Sequence, residues 1–409
     1  RDVIREGFPL SPACPNCPNR NMIYRGGPDG LVSQTDNIVY SMTQCAQSVT
    51  APAWGDVDGD GFPELIVSTC IFINHGNGTF SGGEGLLDLV GGLNQYISGV
   101  AFGDYDGDGY IDLVVASSSP TASTSLNVLR NTGLGFNASS FPLVRVTNGH
   151  LTTSVYRSSE RWNSRHTLAF VDYDFDGHLD LSLGLAFATV PILFRNVGGG
   201  GFKPEAAGAR ARAVTAGDFD NDGDIDLFYT SGTLFENDGI GGWTQRSLPN
   251  TDAAEGAAFG DIDNDGLLEL VIVGRSTGAG NVLLRYLGNG QFQEVAGDVA
   301  NDASSHCKSV TFADYDGDGW LDLFIARASG SQWEGSTLVA NHLYQNSGTG
   351  VLIKVTAGVI ATDATSDSRL GVFGDIDNDG HLDLWVTSSR SNQHGAVGAT
   401  AGVPAGPNT

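Results

Sequence analysis

Apolar residues in this chain come in short bursts, and seven of the bursts follow a polar turn of one pattern. They are Leu65-Ile66-Val67, Leu113-Val114-Val115, Leu181-Ser182-Leu183, Leu227-Phe228-Tyr229, Leu270-Val271-Ile272-Val273, Leu323-Phe324-Ile325 and Leu384-Trp385-Val386. Each is too short for a helix and rich in branched or aromatic side chains, which predicts buried strands. Small-residue stretches such as Ala213-Val214-Thr215-Ala216-Gly217 and Ala257-Ala258-Phe259-Gly260 lead into the turns. A second signature is an apolar–polar alternation broken by Gly and Asn. It appears as Met22-Ile23-Tyr24-Arg25-Gly26, Phe72-Ile73-Asn74-His75-Gly76, Leu129-Arg130-Asn131-Thr132-Gly133 and Phe194-Arg195-Asn196-Val197-Gly198, and again near Phe235, Arg285 and Leu343. This is the pattern of a β-hairpin.

One unit therefore reads strand, acidic turn, strand, connection, strand, Gly-rich turn, strand. Four antiparallel strands per unit make a propeller blade. Successive acidic turns start 48, 68, 46, 43, 53 and 61 residues apart, in or above the range for four-stranded blades. The expected fold is all-β, a seven-bladed β-propeller whose innermost strands carry the small residues, because seven blades crowd around one axis. The two signatures are out of phase at the ends: the chain opens on a hairpin with no acidic turn before it and closes on an acidic turn with no hairpin after it. Residues 22–33 are accordingly expected to pair with residues 382–388 and close the ring. Residues 1–20, with Pro9, Pro12, Pro15 and Pro18, read as an irregular arm, residues 21–390 as the propeller, and residues 391–409 as a Gly/Ala-rich tail or linker.

The acidic turns carry the chemistry. In each, carboxylates stand at positions 1, 3, 5 and 9 and glycine at position 6. The first four sets are Asp56, Asp58, Asp60 and Glu64; Asp104, Asp106, Asp108 and Asp112; Asp172, Asp174, Asp176 and Asp180; and Asp218, Asp220, Asp222 and Asp226. The last three are Asp261, Asp263, Asp265 and Glu269; Asp314, Asp316, Asp318 and Asp322; and Asp375, Asp377, Asp379 and Asp383. Oxygens spaced two residues apart around a glycine bend can converge on one hard cation, and Ca²⁺ suits so many protein oxygens better than Mg²⁺, which keeps its waters. Up to seven Ca²⁺ are expected. An EF-hand is excluded, because it needs a bidentate Glu at position 12 and a following helix. Position 12 here is Val67, Val115, Leu183, Tyr229, Ile272, Ile325 or Val386.

The net charge of −26 has its origin in these turns. Of 47 acidic residues 28 are loop carboxylates, and the remaining 19 nearly balance the 21 Lys and Arg. There is no basic stripe on which nucleic-acid binding could rest. No run of about 18 apolar residues is present, so no membrane span is expected. The chain begins with Arg instead of Met, an expectation of processing. Five cysteines are too few for a disulfide scaffold. Cys45 and Cys70 flank the first turn and are expected to bridge neighbouring strands. Cys14-Pro-Asn-Cys17 reads as a local disulfide, with half a zinc site and a redox pair as alternatives, and Cys307 is left over. Asn77 and Asn137 stand in glycosylation sequons. Calcium loops of moderate affinity fill at extracellular calcium levels, so a secreted or cell-surface location is expected.

Phe102-Gly103-Asp104-Tyr105-Asp106-Gly107-Asp108-Gly109 and Phe259-Gly260-Asp261-Ile262-Asp263 resemble FG-GAP/VCBS repeats, found in the headpiece propeller of integrin α subunits and in many secreted proteins. The resemblance covers roughly residues 21–390. It implies metal loops between the first and second strands of blades, with positions 1, 3, 5 and 9 as ligands. Integrin α propellers carry fewer metal loops than seven, so the likeness is to the repeat rather than to integrins as such.

A partner is expected on the face opposite the acidic turns, where the length variation falls. Residues 148–166 hold Arg157, Arg161 and Trp162, residues 329–336 surround Trp333, and a shorter insertion covers residues 117–125. Trp and Arg on rigid-scaffold loops are common binding anchors; the alternative is that the tryptophans cover gaps between blades. The eight histidines are scattered, and no hydrolase elbow, P-loop or dinucleotide fingerprint is present. The expected role is an adhesion or recognition module for protein or glycan within a larger assembly. The alternatives are a polysaccharide lyase-like enzyme, with Arg161, His166 or Arg369 as base, and a structural subunit of a coat or filament that self-assembles.

Overall fold

A computed structural model describes residues 22–28, 30–34, 52–67, 70–77, 79–85, 96–119, 122–136, 142–146, 167–184, 193–199, 201–205, 211–248, 251, 254–275, 280–288, 290–302, 306–328, 339–362 and 368–388. Within them lie seven four-stranded antiparallel sheets. Numbering the blades by their acidic turns makes blade 1 the carrier of residues 56–64 and blade 7 the carrier of residues 375–383. Blade 4 shows the plan: Val214–Gly217 lies innermost, followed outward by Asp226–Tyr229, Thr233–Asn237 and Trp243–Ser247. The acidic turn joins the first strand to the second, and the Gly-rich turn joins the third to the fourth. First strands of successive blades pack against one another all the way round, the last against the first.

Second strands are covered on both faces by their neighbours. Glu64–Val67, Asp180–Gly184, Asp226–Tyr229 and Glu269–Val273 are buried at every position, which is why they read as unbroken apolar runs rather than as alternation. The apolar core is consequently spread between blades. One cluster joins Tyr173, Leu181 and Leu183 of blade 3 to Leu227, Tyr229 and Phe235 of blade 4.

Blade 7 draws on both ends of the described chain, as expected. Ser368–Gly374 and Asp383–Ser388 form its inner half, and Met22–Arg25 pairs with the latter through Met22↔Val386, Ile23↔Trp385 and Tyr24↔Leu384. Val32–Gln34 makes the outer edge. Ile23 and Tyr24 are fully buried. Residues 117–125, expected as an inserted loop, instead lengthen a hairpin: Asp112–Ser119 and Ala122–Asn131 pair as far as Ser119↔Ala122. The polar serines continue the ladder because backbone hydrogen bonds, not side-chain hydrophobicity, hold that end.

The two residues before each acidic turn, an aromatic–glycine pair in blades 1, 2, 5 and 7, form a joint between blades. A Cβ at Gly55 would meet the Phe102 ring at 2.7 Å, at Gly103 the Phe170 ring at 2.8 Å, and at Gly260 the Phe312 ring at 2.7 Å. Gly217 stands in the same way under Phe259, and Gly374 of blade 7 under Trp54 of blade 1. Each glycine is thus a socket for the next blade's ring. Blades 3 and 4 invert the sizes, with Val171 in the glycine position and Ala216 in the aromatic one, both in the same apolar cluster. Large on small becomes small on large at similar total volume, the kind of exchange that close-packed interiors tolerate.

Cys70 is disulfide-bonded, with its partner outside the described residues; Cys307 is a buried thiol. Cys14, Cys17 and Cys45 lie outside the described residues, as do the arm and the tail.

Deleting residues 1–34 removes half of blade 7 and the burial of Ile23 and Tyr24, worth about 1.5–3 kcal/mol for each large side chain. Calorimetry of the truncated chain is expected to give a clearly lower unfolding midpoint; an unchanged midpoint would mean that the ring does not depend on this closure.

Candidate metal centres

The seven acidic turns share one hydrogen-bond frame. The position-1 carboxylate accepts from the backbone N–H groups of positions 5 and 6, as at Asp104, whose Oδ1 lies 3.0 Å from Asp108 N and Oδ2 2.8 Å from Gly109 N. The position-5 carboxylate accepts from the N–H of position 7, at 3.0 Å for Asp108 and Tyr110. Glycine at position 6 has φ between 84° and 98° in all seven turns, a left-handed conformation costing other residues roughly 1–2 kcal/mol. Position 4 is left-handed too. Gly59, Gly107 and Gly317 or Asn221, Asn264 and Asn378 fill it, except in blade 3, where Phe175 stands at φ 53° with its ring exposed.

Position 9 is the deep end of the turn. Glu64, Asp112, Asp180, Asp226, Glu269, Asp322 and Asp383 are all buried. One oxygen accepts from the N–H of position 2, at 2.7 Å for Val57 and Glu64 and 3.1 Å for Tyr105 and Asp112. Burial, foremost, and the neighbouring carboxylates push Glu64 and Asp226 up to about 8, and Asp112, Asp180, Glu269 and Asp322 up to about 7. Asp383 is raised as well, by burial, against the opposing charge of Arg25.

Position 3 is where the frame leaves an oxygen over. Oδ1 of Asp106, Asp174, Asp220, Asp263, Asp316 and Asp377 is buried without a hydrogen-bond partner, and so is Oε1 of the wholly buried Glu64. Leaving a charged oxygen in that state costs several kcal/mol. Carboxylate oxygens of Asp56, Asp58 and Glu64, of Asp172, Asp174 and Asp180, and of Asp218, Asp220 and Asp226 lie within 4.8 Å of one another. Those of Asp104, Asp106 and Asp108 and of Asp261, Asp263 and Asp265 do likewise, and two further such groups are present. Hard, anionic, converging oxygens with an unpaired member fit Ca²⁺. When bound, the cation would neutralise the clustered charge and give the orphaned oxygen its partner.

In five of the seven blades an asparagine two residues before the hairpin glycine fastens the centre to the preceding blade. In blade 2 the Asn131 N–H donates to Asp112 Oδ1 at 2.7 Å, and its Oδ1 accepts from Gly133 N at 2.9 Å. Its Nδ2 donates to the Ile111 carbonyl of its own turn at 3.0 Å and to the Val57 carbonyl of blade 1 at 2.6 Å. Asn196, Asn237 and Asn346 bridge in the same way to Tyr105, Tyr173 and Ile262, and Asn74 to Ile376 across the ring closure. Blade 5 has Tyr286 at this position. There Leu268 N reaches the Phe219 carbonyl of blade 4 directly at 3.0 Å, and the Tyr286 ring packs edge-on against Phe219. Blade 7 has Gly26, whose N–H still donates to Asp383 Oδ1 at 2.8 Å. The signal in the sequence is Asn-x-Gly recurring in the hairpins of blades 1, 2, 3, 4 and 6.

A second titratable cluster lies between blades 5 and 6, away from the acidic turns. Tyr344 donates to Asp302 at 2.8 Å, Lys354 Nζ lies 3.1 Å from the same oxygen, and His342 Nδ1 contacts it. Arg327, which can only donate, meets His342 Nε2 at 2.6 Å, so the imidazole proton faces Asp302. Burial holds His342 below its ordinary value. All these groups partner one another, as in a structural ion network. His178 and His381 at position 7 are loop residues, the former lying against Gly198. Asn77 is exposed in the blade 1 hairpin turn, its Oδ1 accepting from Thr79 N at 3.0 Å. Arg157, Arg161, Trp162, His166, Trp333 and Asn137 lie outside the described residues.

Residues 68–115 and 265–325 match the FG-GAP-like repeat family. No curated protein sequence matches the chain significantly. Among solved structures it is similar to an Agrocybe aegerita lectin that specifically recognises non-reducing terminal N-acetylglucosamine, at 17% identity and TM-score 0.53, over 91% of this chain and 96% of the lectin. It is similar to BBS1N, solved in complex with ARL6DN, at 12% identity and TM-score 0.50, over 91% and 98% of the two chains. The V. cholerae biofilm matrix protein Bap1 follows at 13% identity and TM-score 0.38, over 91% of this chain and 70% of that one. At these identities the first two likenesses are ones of fold, and the third carries no weight.

Asn131→Asp keeps the shape of the side chain and removes both donors to buried carbonyls. It is expected to destabilise the fold by roughly 2–4 kcal/mol in denaturant unfolding, while Asn77→Asp on the surface changes stability by less than about 0.5 kcal/mol. Equal small effects at both sites would contradict the bridging role.

Proposed function

We propose that this FG-GAP β-propeller is a calcium-stabilised recognition module that works outside the cell and binds a protein or glycan. The observation that carries the reading is the buried, unpartnered position-3 oxygen found in six of the seven turns, beside carboxylates already ordered by backbone N–H groups. A rigid ring stabilised by such cations is a platform for loops that vary in length from blade to blade. Calcium at extracellular concentration fills sites of this kind. The disulfide at Cys70 supports the same compartment, because structural disulfides persist in oxidising surroundings. No helix among the described residues is long and apolar enough to cross a membrane.

Glycan recognition is the favoured branch, since a lectin that binds terminal N-acetylglucosamine is built on a similar fold. The binding anchors under this reading are Arg157, Arg161, Trp162 and Trp333, all outside the described residues. Calcium serves the ring in this reading and does not touch the ligand.

Binding to a glycan array in calcium, run beside a lyase assay on uronate polymers, tests the reading. Retention of a defined set of glycans without chain cleavage is expected, and Trp162→Ala is expected to weaken that retention at least tenfold with an unchanged melting temperature. Release of unsaturated uronate products would replace the recognition reading with an enzymatic one. Equal loss of binding and melting temperature would assign Trp162 to the packing between blades.

A further inference from the structure

The residue just before the bridging position on each third strand divides the seven turns into two groups. It is Arg25, Arg130, Arg195 or Arg285 in blades 7, 2, 3 and 5, and Ile73, Glu236 or Gln345 in blades 1, 4 and 6. Every one of the four arginines reaches the position-3 aspartate of its own turn. Arg130 Nε lies 2.7 Å from Asp106 Oδ2, with an NH2 contact of 2.8 Å to Asp108. Arg285 NH2 lies 2.8 Å from Asp263 Oδ2, and Arg25 NH1 lies 3.0 Å from Asp377 Oδ2 and 3.1 Å from Asp383 Oδ2. Arg195 holds Asp174 and Asp176 in the same manner. In all four the guanidinium takes Oδ2 and leaves Oδ1 of the position-3 aspartate buried and unpartnered.

Blades 1, 4 and 6 carry no such cation among the described residues. Gln345 occupies the arginine's place in blade 6, where its Nε2 donates to Asp316 Oδ2 at 2.6 Å, a neutral substitute at the same atom. In blade 4 Glu236 pairs with Arg246 of the outer strand, so neither charge is left over, and Asp224 at position 7 adds a fifth carboxylate to the turn. In blade 1 Ile73 offers no counter-charge.

We infer that the propeller holds calcium in two classes of site: three tight sites in blades 1, 4 and 6, whose shape depends on the cation, and four weaker ones in blades 2, 3, 5 and 7, where an arginine on the third strand acts as a built-in counter-charge. The inference rests on the calcium reading of the turns. Charge count is a main determinant of affinity in oxygen-ligand calcium sites. A guanidinium within 3 Å of a ligand carboxylate lowers the negative charge that the ion meets, and adds its own repulsion. The same guanidinium keeps the position-3 side chain in place when no ion is bound. Complete removal of calcium would therefore loosen blades 1, 4 and 6 most and leave four blades as a framework for reloading.

Calorimetric titration of the full chain with Ca²⁺ after chelation tests this. The expected isotherm has three tight equivalents followed by four at least tenfold weaker. Arg130→Gln, which copies the natural arrangement of blade 6, is expected to raise the tight count to four, and Gln345→Arg to lower it to two. Hydrogen exchange in chelator is expected to speed up at residues 56–64, 218–226 and 314–322 more than at the other four turns. Seven equivalent sites, or counts unmoved by both substitutions, would overturn the two classes and leave the calcium reading intact. No calcium uptake at all would overturn both.

Discussion

Like charges gathered in one turn repel, and the fold depends on how that repulsion is relieved. Each acidic turn brings four carboxylates to the junction between the two innermost strands of a blade, and one of them is buried beside the apolar core. Part of the relief is built into the backbone. Positions 1, 5 and 9 accept N–H donors from within the turn and from the neighbouring hairpin. Position 3 is the exception, with one oxygen buried and unpaired in six blades. In the proposed reading a cation would supply what the polypeptide does not, at the point where the position-9 carboxylate connects turn, hairpin and neighbouring blade.

Blade-to-blade contacts turn this local chemistry into a property of the ring. The asparagine that receives the position-9 carboxylate on its backbone N–H also donates its side-chain amide to the turn of the preceding blade. Aromatic rings before the turns sit on glycine sockets of the preceding blade, including Trp54 on Gly374 across the closure. Ordering one turn therefore helps to order the next. Electrostatic relief and packing act on neighbouring positions of the same turns and inner strands.

Most of the architecture was legible in the sequence because it depends on local pattern. Turn spacing, the apolar run after each turn and the phase mismatch at the ends were enough to indicate seven blades and their closure through residues 22–33. The convergence of the acidic side chains was equally plain, since four carboxylates at fixed offsets in one turn have little room to point elsewhere. The bridging asparagines and the arginine clamps were harder to see. Their partners lie a whole hairpin or a whole blade away, as with Asn74 and Ile376, so no local pattern marks the exposed Arg130 as the partner of Asp106. Residues 117–125 read as an insertion because a Ser-rich run with Pro120 and no apolar alternation carries little strand signal. Phe175 at a left-handed position breaks the local rule, and nothing else in the structure explains it.

Thermal unfolding of the full chain at neutral pH, with millimolar calcium and again with excess chelator, addresses the central claim most directly. Seven clusters that need a cation predict a midpoint in chelator at least about 10 °C lower, restored by added calcium and far less well by magnesium. Identical midpoints in the two buffers would contradict it, because the turns would then hold their charge without an ion.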